Sequence, residues 1–138
     1  MQKFFLSICL MLFSVTLFAT ELEVEIKDIE SENVNLYITI CNEESFNSKN
    51  PQKNCYIGQM AKITNEKNYT FKFDNVPEGQ WAIFGYIDEN MNRQLDKTFI
   101  GIPKEQVMFT VILKGPPSFK KIMSEIKGDK QKIELIVQ

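Results

Sequence analysis

The 138-residue chain contains no histidine, and that absence excludes more chemistry than any residue present suggests. It removes the Ser-His and Cys-His nucleophile pairs and the zinc sites that rely on an imidazole. Carboxylate, lysine and tyrosine chemistry are left, and no spaced pair of such groups singles itself out, so an enzyme is not expected. Basic residues are outnumbered. Of 16 lysines and arginines, Lys3 lies in the first few residues, leaving 15 against 18 carboxylates, a balance that gives nucleic acid no reason to bind. Internal repeats, low-complexity tracts and long apolar runs are missing after residue 20, so no membrane span is expected there.

The first twenty residues, MQKFFLSICLMLFSVTLFAT, place a lysine before an apolar run over residues 4–18, with small residues ahead of Glu21. That order reads as an export signal over residues 1–20, cleaved after Ala19 or Thr20, against the rival reading of a retained anchor. Cys9 follows Ile8, where a lipid-attachment signal needs a small residue. The remainder, residues 21–138, is long enough for one domain and too short for two. A periplasmic or secreted location is therefore expected.

Two cysteines survive removal of the leader, Cys41 and Cys55. In an exported chain such a pair reads as a disulfide, with a metal-ligand pair and free thiols as rivals. Closing a loop of about 15 residues contributes roughly 3 kcal/mol in the chain-entropy picture.

The rest reads as strands. In ELEVEIKDI, Leu22, Val24 and Ile26 alternate with charged residues, and in NVNLYITIC, Val34, Leu36, Ile38 and Ile40 point one way while Tyr37, Thr39 and Cys41 point the other. NEESFNSKNPQKN is a polar surface loop that the disulfide restrains. A short strand over residues 57–63 and NYTFKFDNV follow, before Pro77 and Gly79 turn the chain into QWAIFGYID, apolar on both faces as a central strand should be. Trp81 reads as core. QVMFTVIL and KIELIVQ complete seven or eight strands, and SFKKIMSEIK fits a strand or a helical face. The predicted class is all-β, a single antiparallel β-sandwich.

The stretches FDNVPEGQWAIFGYIDENMNRQLDKTFIGIPKE and GPPSFKKIMSEIKGD resemble a bacterial exported family catalogued as domain of unknown function 2141. Its pattern falls here on Phe73, Val76, Pro77 and Gly79, then Asp88, Asn90, Asn92, Leu95 and Asp96, then residues 101–105. The resemblance implies a transthyretin-like, prealbumin-like or immunoglobulin-like sandwich and supplies no activity. Arg93 stands where the pattern has glycine, and EQVMFT replaces a glycine- and aromatic-rich stretch.

Within it, DENMNRQLD aligns Asp88, Asn90, Asn92, the Gln94 carbonyl and Asp96 with the oxygen donors of an EF-hand-like calcium loop. Position 12 is Phe99 and position 6 is Arg93, so a calcium ion would bind weakly, with a dissociation constant on the order of 10⁻⁴ to 10⁻³ M. The rival reading is a turn held by Asx hydrogen bonds. Asn68, in EKNYT, is the one Asn-x-Ser/Thr acceptor and a candidate glycosylation site. The expected function is a non-catalytic binding or accessory module whose partner is an envelope protein or a glycan. Two alternatives are a carboxylate-dependent or carbohydrate-active enzyme using Asp88, Asp96 and Tyr86, and an adhesion or assembly protein. The last predicts an exposed apolar patch or a free edge strand.

Overall fold

The structure, a computed structural model, describes residues 18–138. Most of the leader read over residues 1–20, Cys9 included, lies outside the described residues. The elements are β1 (Ala19–Ile26), β2 (Val34–Cys41), the one-turn helices α1 (Glu43–Phe46) and α2 (Pro51–Asn54), β3 (Ile57–Ile63), β4 (Tyr69–Pro77), β5 (Gly79–Asp88), β6 (Val107–Phe109), the one-turn helix α3 (Phe119–Ile122), β7 (Met123–Ile126) and β8 (Lys130–Val137).

The all-β class holds. The strands form one path, β3-β2-β5-β6-β8-β1-β4, with β7 attached to β5 beside it. β8 carries that path around the core: Lys130 to Leu135 pair with β1, and Ile136 and Val137 pair with β6. The outcome is a mixed, nearly closed sheet with a barrel-like shape. Its two edges, β3 and β4, are bridged where the Gln59 amide donates to the Lys72 carbonyl at 2.9 Å.

A purely antiparallel sheet was expected, and β1 and β8 correct it, since they run parallel with Val24 opposite Ile133. Period-2 alternation carries no strand direction, so Leu22, Val24 and Ile26 face inward whichever way the neighbour runs. Two further stretches also differ. QVMFTVIL is extended only over Val107–Phe109, because the Thr110 hydroxyl donates to the Ile122 carbonyl and Leu113 N–H to the Gln138 side chain, drawing the chain off the ladder. SFKKIMSEIK is half helix and half strand, switching at Met123 (φ −70°, ψ 147°). The polar loop after β2 holds α1, whose Asn42 cap accepts the Ser45 N–H at 2.9 Å, and α2, which starts at Pro51. Cys41 and Cys55 form the disulfide that ties this loop to the end of β2.

The inner faces share one core, with Leu22, Val24 and Ile26 meeting Leu36, Ile38 and Ile40, and Phe71 and Phe73 filling the space between. Trp81 belongs to it, and its indole N–H donates to the Pro77 carbonyl at 2.8 Å. Gly79, at φ 142°, makes the turn that the sequence expected of it. β5 is the central strand: β2 flanks one edge, and β7 and β6 divide the other. Its outer face carries a second, smaller apolar cluster of Ala82, Phe109, Phe119 and Ile122 with Phe46 and Phe84 packed on it. Everything of functional interest lies beside that outer cluster.

Candidate functional site

The end of β5 runs directly into residues 88–96. Asp88 is fully buried; its Oδ1 accepts the Asn92 N–H at 3.1 Å and its Oδ2 the Arg93 N–H at 2.8 Å. Asn90 Oδ1 also accepts the Asn92 N–H (3.1 Å), and Asn92 Oδ1 accepts the Gln94 N–H (2.9 Å). Both amide nitrogens turn toward Asp96: Asn90 Nδ2 lies 2.6 Å from Oδ2, and Asn92 Nδ2 lies 3.0 Å from each carboxylate oxygen. The four side chains form one hydrogen-bonded knot, the Asx-turn arrangement that competes with the metal reading. Such a knot forces left-handed backbone at Met91 (φ 57°) and Arg93 (φ 64°). Arg93 thus bears the angle that a glycine serves in the related pattern, at a cost of about 1 kcal/mol.

Glu105 locks the knot from behind. It is almost wholly buried, with one carboxylate oxygen accepting the Glu89 N–H at 3.1 Å and the other the Asp96 N–H at 3.2 Å. Glu105 has no role that the sequence announces, because a lone carboxylate nine residues from Asp96 carries no local signal of what it will meet. Tyr86 stacks on Tyr37, ring centroids 5.0 Å apart. Burial, with added charge repulsion from the neighbouring Tyr37 phenol when both titrate and from the Asp88, Glu105 and Asp96 carboxylates, pushes the Tyr86 phenol well above its ordinary range, so it stays protonated at neutral pH. Of the three residues named for the enzyme alternative, Asp88 thus holds two backbone N–H groups, Asp96 faces the Asn90 and Asn92 amides, and Tyr86 is stacked and protonated.

Beyond the knot the chain makes a flap over residues 97–104. Lys97 lies opposite Pro103, Thr98 N–H donates to the Ile102 carbonyl at 2.7 Å, Gly101 N–H to the Thr98 carbonyl at 2.9 Å, and Lys104 N–H to the Asp96 carbonyl at 2.8 Å. Gly101, at φ 86°, completes the turn. The tip holds Phe99 and Ile100 out in solvent, 106% and 78% exposed. Leaving a Phe or Ile side chain in water forgoes about 1.5–3 kcal/mol each that burial would supply.

Between this flap, the disulfide-held loop and residues 113–117 lies a groove of about 1190 Å³. Phe84, Tyr86, Val107 and Phe109 form its floor. Phe46 and Pro51 stand on one wall, and Ile100, Ile102 and Pro103 on the other. Phe46 meets Phe84 edge-on at 5.6 Å, and Phe84 lies along Phe109 at 6.3 Å. Lys49 and Lys97 line the groove, and its one lining carboxylate, Glu105, is committed to the knot. The ion pairs found among the described residues all involve Lys27, Lys130 or Lys132, on the β1 and β8 side.

Of the residues singled out in the sequence, Asp88, Asn90, Asn92 and Asp96 converge. The Gln94 N–H joins them, while Cys41 and Cys55 are joined in the disulfide at the base of the loop that carries Phe46 and Pro51. Asn68 is elsewhere, exposed just before β4, with its Oδ1 accepting the Asp28 N–H at 3.4 Å. The groove itself went unread, because its walls come from three separate loops.

A family model described as "Uncharacterized protein conserved in bacteria (DUF2141)" matches residues 24–134, and the chain belongs to that family. No curated protein and no solved structure matches it.

Proposed function

We propose that this member of the DUF2141 family is an exported, non-catalytic binding module whose groove takes a single-chain anionic amphiphile, an acyl chain with a carboxylate or phosphate head. One observation carries the reading: an aromatic and aliphatic floor in a groove of about 1190 Å³, with Lys49 and Lys97 in its lining. A glycan would need a row of convergent hydrogen-bonding groups, whereas this lining is mainly apolar with a few polar side chains. The disulfide at Cys41 and Cys55 supports an oxidising, extracytoplasmic location. A transthyretin-like layering is part of the same reading, supported by β1 and β4 facing β2 across a shared core.

Displacement of a fluorescent apolar probe by tetradecanoate and by tetradecanol tests the groove. The carboxylate is expected to displace at micromolar concentration and about tenfold more tightly than the alcohol, the margin of one charge-assisted contact. Thr39→Trp, filling the groove from the outer face of β2, should abolish displacement and leave the melting temperature unchanged. Failure of both compounds to bind at millimolar concentration overturns the reading.

Weak calcium binding at Asp88, Asn90, Asn92, Gln94 and Asp96 is a second proposal. The donor set is made of the oxygen atoms a hard cation takes, although among the described residues no three carboxylates cluster closely enough to hold a metal ion. The ion would require Asn90 and Asn92 to rotate their amides, since both nitrogens now face Asp96. Glycosylation at Asn68 is proposed on its exposure and acceptor pattern, and an intact mass of the native protein decides it.

A further inference from the structure

We infer that the flap tip and the adjoining loop over residues 110–114 form a docking face for an anionic lipid bilayer. The inference does not depend on the groove's ligand, because Phe99, Val111, Ile112 and Lys114 lie outside the groove lining, although Lys97, Ile100 and Ile102 are shared with it.

Three observations converge on it. First, the most exposed large apolar side chains are concentrated here: Phe99 at 106%, Ile100 at 78% and Ile112 at 70%, with Ile102 and Val111 beside them. Second, both loops are pinned. The flap is closed by its turn hydrogen bonds, including Ile102 N–H to the Thr98 hydroxyl at 3.1 Å. The second loop is held by Gln138, whose side chain accepts the Leu113 N–H at 2.9 Å and donates to the Val111 carbonyl at 3.0 Å. A pinned loop that presents apolar residues outward keeps them there at equilibrium, and water alone offers nothing to hold them.

Third, the charge is one-sided. Residues 97–104 carry Lys97 and Lys104 and no carboxylate, and residues 106–124 carry Lys114, Lys120 and Lys121 and no carboxylate. All five lysines are exposed, on a chain whose net charge is −2. Overall repulsion would keep the protein from an anionic surface unless this face led. Apolar anchors and a cationic surround together are the two signals that stable interfacial attachment requires, where either alone is marginal. Both loops border one groove, through Ile100 to Pro103 on one side and Leu113 on the other.

Co-sedimentation of the oxidised chain freed of its apolar leader with phosphatidylcholine vesicles, with or without roughly 30 mol % phosphatidylglycerol, tests this. Binding to the anionic vesicles is expected, with little to the neutral ones, and release in about 0.5 M salt. The Phe99→Asp/Ile100→Ser variant should lose tenfold or more, because its anchors are gone. Lys104→Gln and Lys114→Gln should lose about fivefold each, while Lys72→Gln on β4 and the groove-filling Thr39→Trp should bind like wild type. Melting followed by Trp81 fluorescence verifies that each variant is folded. No partition onto anionic vesicles, or partition indifferent to the tip variant, overturns the inference. So does vesicle-free dimerisation that the tip variant abolishes, which would assign the face to a second copy of the chain.

Discussion

The β1 and β8 side of the molecule and the outer face of β5 solve opposite problems. On the first, lysines meet carboxylates one by one: Lys132 lies 2.9 Å from Glu25, Lys130 3.1 Å from Glu23 and Lys27 2.9 Å from Glu134. Leu22, Val24, Ile26, Ile133 and Leu135 face inward there, and Ile136, at the end of β8 that pairs with β6, is partly exposed. On the second, lysines face open water while Phe99, Ile100 and Ile112 stand exposed beside an apolar groove. One side pairs its charges within the chain, and the other leaves its lysines and apolar tips to solvent. Because both belong to one sheet, each can be disturbed with the other as its control.

The largest effect is expected where the two sides share a scaffold. A Cβ on Gly85 would sit 2.0 Å from the Tyr37 carbonyl oxygen and within 3 Å of Ile38 and Met108 side chains. The carbonyl is backbone and cannot swing aside, so Gly85→Ala must push β2 away from β5. A destabilisation of about 3 kcal/mol or more is expected, read by urea unfolding. A variant that keeps wild-type stability would mean that β2 and β5 are not paired in this register.

A smaller effect should fall on one side only. Asp88→Ala removes both acceptors from the Asn92 and Arg93 N–H groups in a buried setting, at about 2 kcal/mol in all. Hydrogen exchange should quicken over residues 88–105 and stay unchanged in β1 and β8. Repeating the melt in millimolar calcium and in chelator separates the two readings of this loop. A calcium-dependent rise in wild type that Asp88→Ala lacks supports a bound ion, and identical wild-type melts leave a hydrogen-bonded turn.

The same division explains what could be read in the sequence. Leu22, Val24, Ile26 and their counterparts in β2 declare an inward face by period alone, as QWAIFGYID declares a central strand, because burial on a regular sheet is written every second residue. Direction is not written there, which is why the parallel pairing of β1 with β8 had no signal. The Asp88 loop was visible because its partners lie within eight residues of one another. Glu105 and the groove were not, since Phe46, Phe84, Ile102 and Leu113 become neighbours only after α1, β5, the flap and β6 are placed. Arg93 is intermediate: its departure from glycine is legible in the sequence, and the positive φ of 64° that it bears is legible only in the structure.

The smallest effect should be confined to the paired face and has a definite sign in pH. The hydrogen bond from Lys132, aided by the charges of Lys132 and Lys27, holds the Glu25 carboxyl below its ordinary value of 4.5 despite some desolvation. Folded protein therefore binds that proton less tightly than unfolded protein. The stabilisation is fully present above pH 4.5 and disappears as pH falls through the lowered folded value. Lys27, bonded to Glu134, and Lys130, bonded to Glu23, are raised above 10.5. Their share is fully present below that pH and is lost as pH rises through the raised values. All these groups are open to solvent, so salt should flatten both limbs. The check is a melting profile of wild type against Lys132→Gln, with and without salt. The variant should lose a small part of the acid limb and none of the difference attributable to the groove side, whose lysines have no carboxylate to release. A profile in which Lys132→Gln shifts the groove's affinity as strongly as it shifts the acid limb would show that the two faces are coupled through β8, the strand that carries the sheet from one half to the other.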